Sequence, residues 1–317
     1  MTEKDKLRIE ALRLLRCETQ NDCLDIIKIY LDFLFMVIRD HQMDRVDSLA
    51  LAEARIIKQM IFTKLAQLRE ATNGIEYEFE DSHLNNIIDP TIIASNTRNI
   101  YETIALFNLI FVNTKSQDEQ KILYNLWVHS GLKYRQRFEN LARSEENREK
   151  LENEREQIEQ LVQEIKDTNL YTSLDERNQG KIDTKIRDKD YKISFDGTTV
   201  NFLSWQELIK SLGLKVNILD NIYNYFSLYT HPTNVAVFQF SAMFKNEDRA
   251  WIELSTFNLK IAIMLTSIFI ADYITVFPQV KTSFEKLGIR EQIAINWQNV
   301  FARGQEYRIN DCLDKIE

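Results

Sequence analysis

Seven glycines and three prolines in 317 residues leave this chain with very little punctuation. Glycine loosens the backbone, and proline fixes φ and removes a hydrogen-bond donor, so both tend to interrupt regular elements. Their scarcity predicts long, uninterrupted helices. Hydrophobic residues make up 44% of the chain, enough for a substantial core. The length allows one large domain or two modest ones. The expected fold class is all-α: a multi-helix bundle with a long charged helix and one small β-hairpin near residues 191–202.

Apolar residues recur at helical spacing over residues 7–17. A second helix is expected from an N-cap at Asn21 or Asp22 to about Met43. A third follows Asp47 or Ser48 and closes at Asn73-Gly74. Residues 75–90 read as acidic and irregular, and helix resumes near Ser95 or Asn96. An N-cap around Ser116 opens a segment helical to about Asp167, with Gly131 as its candidate break. Unbroken, that segment would span roughly 75 Å at about 1.5 Å per residue. Its second half, residues 144–166, is charged and amide-rich, with a sparse stripe of Leu151, Ile158, Leu161, Val162 and Ile165. It is expected either to protrude or to pack along one seam. A coiled coil or partner-binding arm for another protein or a second copy is the sharper alternative.

Residues 169–190 read as a polar loop. Alternating Tyr191, Ile193, Val200 and Phe202 around Asp196-Gly197 predict a hairpin pairing Ile193 with Val200 and Tyr191 with Phe202. Ser204 and Glu207 fit a capping box for a helix that ends at Gly213. Further helices are expected to run to about Pro232, from about Ala250 to Phe277, and from Gly288 or Ile289 to Arg303. The expected organisation is residues 1–90 as N-terminal helices packed on a core domain, 91–317, from which helix 144–167 protrudes. A single domain is the alternative.

Lysine and arginine total 40 against 48 acids, a formal charge of −8. A generally basic nucleic-acid surface is not indicated, and a local basic groove is the form nucleic-acid binding would have to take. Cys17, Cys23 and Cys312 make an odd set without a C-x-x-C pair. They argue against a disulfide framework or zinc site and for a reducing, cytoplasmic setting. The charged N-terminus lacks a signal-peptide apolar core. Residues 26–38 and 261–277 are apolar, but Lys28, Asp32 and Asp272 interrupt them. Core helices are expected rather than membrane spans.

Walker, G-x-G-x-x-G and G-x-S-x-G motifs are absent. Glu80 and His83 form a lone E-x-x-H, where a di-iron bundle needs two. No cofactor or metal is expected. His41 and His129 lack ligand-spaced neighbours, and Trp127, Trp205, Trp251 and Trp297 are expected to fill the core. Two patterns stand out. Arg98 and Glu102 are spaced to share a helix face, as are Ser227 and His231 within the aromatic run Tyr223-Asn-Tyr-Phe-Ser227-Leu-Tyr-Thr-His231.

Arg98-x-x-x-Glu102, then Trp205-x-x-Leu208-Ile209-x-x-Leu212-Gly213-Leu214, then Tyr223-x-x-x-Ser227-x-x-x-His231 resembles a family of uncharacterised bacterial all-helical proteins. The resemblance covers roughly residues 91–240. Through it the chain looks distantly similar to helical nucleotide-binding and ribonuclease modules of toxin–antitoxin and phage-defence systems. Those ribonuclease modules place an arginine ahead of the histidine on one helix. No arginine stands at residues 224–230 here, and only Arg98 could substitute.

If the two helices pack face to face, Arg98, Glu102, Ser227 and His231 form a polar cluster in an apolar bundle. Buried polar groups need partners. The cluster is then either a structural pin or a pocket in which Arg98 holds an anion and His231 works as acid or base. The corresponding functions are a helical interaction or regulatory module, for which the resemblance implies a defence system, and a nucleotide- or RNA-directed enzyme.

Overall fold

The computed structural model describes residues 3–215, 218–242 and 250–304; Cys312 lies outside these residues. Helices α1 (Glu3–Arg16), α2 (Gln20–His41) and α3 (Leu49–Ala71) precede strands β1 (Ile75–Phe79) and β2 (Ser82–Ile87). Helix α4 (Pro90–Phe107) runs into a π turn, Asn108–Val112. Then come α5 (Gln117–Arg135), a 3-10 segment (Gln136–Leu141), α6 (Glu145–Lys166), α7 (Asn169–Ser173) and α8 (Glu176–Asp188). Strands β3 (Ile193–Asp196) and β4 (Thr199–Phe202) lead to α9 (Trp205–Lys210). The remaining helices are α10 (Ile222–Thr230), α11 (Asn234–Ala242), α12 (Ala250–Val276), α13 (Lys281–Glu285) and α14 (Ile289–Arg303). The architecture is an all-α bundle with two small antiparallel hairpins.

The chain divides into two compact units: residues 1–108 with 212–317, and residues 109–211. The expected division at residue 90 is not observed. Helices α3 and α4, on either side of it, pack together in the first unit. The stretch between them is the hairpin β1–β2 rather than an interdomain connection.

In the first unit, α12 packs against α2, α4 and α14. Tyr30, Phe33, Tyr101, Phe107, Phe226 and Phe269 are its largest buried aromatics. By length and composition α12 could cross a membrane, yet most of its apolar stretch is buried inside this unit. Asp272, the charge in that stretch, receives two bonds from Arg303, at 2.6 and 2.8 Å. Asn108 adds a third at 2.8 Å. Pairing of this kind offsets the cost of taking the charges out of water.

The second unit corrects the expected long helix. It breaks at Gln136–Leu141, after Arg135, while Gly131 lies within α5. The chain turns back, and α6 packs along α5 instead of protruding. Leu151, Ile158, Leu161 and Ile165 are the buried stripe, and Glu154 is buried among them, paired with Arg135. The polar stretch 169–190 is helical as α7 and α8, capped by Thr168 and Asp175. One buried isoleucine, Ile182, and the stems of polar residues supply the inner face of α8, too little apolar signal to register in sequence.

Other boundaries shift for local reasons. Thr19, not Asn21 or Asp22, caps α2 through a capping box with Asp22. Asp89 caps α4 with Pro90 in its first turn, five residues before the expected start, because proline suits that position. The hairpin β3–β4 turns at Gly197-Thr198, pairing Ile193 with Phe202 and Phe195 with Val200. The shift is two residues, so the same side chains keep the same face. Ser204 and Glu207 form the expected capping box of α9. None of the four tryptophans is fully buried, which suits the size of an indole.

Candidate functional site

Helices α4 and α10 pack together in the first unit. Arg98, Tyr101 and Glu102 lie on α4, and Tyr223, Phe226 and Ser227 on α10. The rings of Tyr223 and Phe226 stand 6.1 and 6.0 Å from that of Tyr101. They form an apolar floor on which the polar groups meet.

Arg98 donates from Nε to Glu102 at 2.8 Å and from Nη2 to the Tyr223 hydroxyl at 2.5 Å. Its guanidinium carbon also lies 4.6 Å from the Tyr223 ring centroid, a cation–π distance. Burial raises the Tyr223 pKa against the opposing pull of Arg98, so the phenol stays neutral and accepts the bond. The Arg98 Nη1 atom is buried without a partner among the described residues.

Ser227 and His231 do not join this cluster as expected. Ser227 donates to the carbonyl of Tyr223 at 3.0 Å, one turn back on its own helix. Helix α10 ends at Thr230, and His231 follows it in extended conformation, exposed. Pro232 favours that extended geometry in the residue before it. The i,i+4 relationship therefore fails at its last residue. His231 instead borders a hollow of about 310 Å³ with Thr91, Tyr229, Thr230, Pro232, Ala236, Val237 and Phe240. Arg98, Glu102 and Ser227 are not among its walls. Tyr223 is the member of the cluster that sequence reasoning left unassigned; it begins the same motif one turn before Ser227.

The other histidines are dispersed. His41 meets Asp44 and Ser283 at 2.8 Å each, and His83 faces Glu78 across the first hairpin. Glu80 and His83 lie on that hairpin rather than on a helix, so the E-x-x-H spacing does not bring them onto one helical face. Among the described residues, no group of three or more His, Cys, Asp or Glu side chains is arranged to hold a metal ion. Cys17 and Cys23, unpaired by spacing, lie with sulfurs 3.0 Å apart and buried as free thiols.

A family model described as a family of unknown function, DUF5677, matches residues 84–249, just over half of the chain. The chain belongs to that family. The DUF5677 segment contains α4 and α10, and with them Arg98, Glu102, Tyr223, Ser227 and His231. No curated protein and no solved structure matches this DUF5677 chain.

Proposed function

We propose that the protein is a helical interaction or regulatory module in which Arg98, Glu102 and Tyr223 pin α10 to α4. One observation carries this reading: the hollow bordered by His231 includes none of Arg98, Glu102 or Ser227. Acid–base catalysis needs a base positioned against the reacting group, commonly oriented by a second side chain. Holding a phosphate would call for a cation there as well. Around the hollow, His231 has two threonines, Tyr229 and apolar neighbours, with no cation and no carboxylate. A place in a bacterial defence system enters this proposal through the sequence resemblance alone.

The nucleotide- or RNA-directed reading keeps one specific support. Arg98 Nη1 is buried without a partner among the described residues, and a bound anion would satisfy it. Wild type, His231→Ala and Arg98→Met, compared in urea unfolding and in turnover of RNA and nucleotides, separate the two readings. The module reading expects no turnover by any of them, a lowered midpoint for Arg98→Met and an unchanged one for His231→Ala. Turnover by wild type that His231→Ala abolishes without altering unfolding would overturn it.

A further inference from the structure

The second unit has a cavity of its own, about 660 Å³, bounded by α5, α6 and α8. That volume is in the range of small-molecule sites, roughly 300–1,000 Å³. Its charge is one-sided. Lys133, Arg137, Arg187 and Lys189 border it against a single carboxylate, Glu159, in a chain of formal charge −8.

Two of the cations are already engaged. Arg187 reaches its neighbour Asp188 at 3.2 Å, and Arg137 stacks 4.7 Å from the ring centroid of Tyr134. Among the described residues, Lys133 and Lys189 have neither ion pair nor hydrogen bond from their side chains. Half-buried cations without counter-ions favour an anion in the space between them. His129, one helical turn before Lys133, also borders the cavity and is only 1% exposed. Its Nδ1 is buried with no hydrogen-bond partner among the described residues, a costly condition unless something else supplies one.

Lys189 closes α8 in the left-handed region, φ 57° and ψ 47°. Its amide bonds the Ile186 carbonyl, and that of Asp190 bonds the Lys185 carbonyl, as in a Schellman motif. Glycine is the usual residue at that position, and a lysine there carries backbone strain.

We propose that this cavity binds a small organic phosphate carrying two or more phosphoryl groups. Lys133 and Lys189 take the phosphate oxygens, His129 adds a neutral hydrogen-bonding group, and Ile158, Val162 and Ile186 cover the organic part. The site stands whether or not the Arg98 cluster in the first unit is structural.

Titration calorimetry with pyrophosphate, ATP, adenosine and a single-stranded RNA oligomer tests it on the full chain. Pyrophosphate and ATP bind, and adenosine does not. Lys133→Gln and Lys189→Gly each weaken ATP at least about tenfold, the scale of one lost charge-assisted contact. Lys189→Gly also melts higher than wild type without ligand, because glycine adopts the left-handed region freely. Its weaker binding then cannot come from a damaged fold. Arg148→Gln, on α6 beyond the cavity walls, leaves ATP affinity unchanged. Absence of pyrophosphate and ATP binding, or wild-type ATP affinity in either lysine variant, overturns the proposal. So does tighter binding of the RNA oligomer than of ATP.

Discussion

Arg98 holds Tyr223 twice, through a 2.5 Å bond from Nη2 to the phenol and through a guanidinium 4.6 Å from the ring centroid. The two residues are 125 positions apart, and their contact ties α10 to α4. Tyr223→Phe keeps the ring but removes the acceptor, leaving a largely buried N–H without its partner. The expected cost is about 1–2 kcal/mol in urea unfolding. Ser227→Ala should stay within about 0.5 kcal/mol of wild type, because its hydroxyl only returns to the helix backbone.

The Asp272–Arg303 pair is expected to be the costliest polar site to break. Both side chains are almost fully buried, and Arg303 also donates from Nε to the Leu212 carbonyl at 2.6 Å. Asp272→Ala leaves a buried guanidinium uncompensated, so the unfolding free energy should fall by roughly 3–5 kcal/mol. Denaturant titration followed by circular dichroism measures it.

Lys58 presents the opposite case. It is 1% exposed, with Nζ 5.6 Å from the Tyr273 ring centroid. Burial, helped by nearby Arg55, lowers its pKa from 10.5 to about 8. Between those values the unfolded chain holds a proton that the folded chain has released, so stability rises with pH across the window. Lys58→Met should remove that slope and add roughly 1–3 kcal/mol at neutral pH, read as a higher urea midpoint.

His129 sets an acid-side limit for the second unit. Burial, then repulsion from Lys133, lowers its pKa from 6.5 to about 4. Above the upper value neither state is protonated there, and the histidine contributes no pH dependence. As pH falls from 6.5 towards 4 the unfolded chain gains the proton first, so stability declines. His129→Gln should flatten melting temperature against pH in that range, as scanning calorimetry would show.

The sequence carried the helical architecture because it depends on strong local signals. Few glycines and prolines, the Ser48, Ser116 and Ser204 caps, and Pro278 after α12 all mark elements where they occur. Weakly amphipathic elements were hidden. Helix α8 buries little apolar surface, and every residue of β1 is exposed, so neither shows a clear core-facing period. Half of the candidate cluster was legible. Arg98 and Glu102 lie within one continuous helix, where spacing fixes the face. Ser227 and His231 depended on α10 continuing one more residue, which Pro232 disfavours. Tyr223 as the partner of Arg98 is a tertiary fact, as is the meeting of α5, α6 and α8 around one basic cavity.

A double-mutant cycle on Arg98→Met and Tyr223→Phe, read by urea unfolding, tests the pin most directly. A structural pin predicts a coupling energy of about 1–2 kcal/mol between the two substitutions. Strictly additive effects, with no coupling, would contradict it.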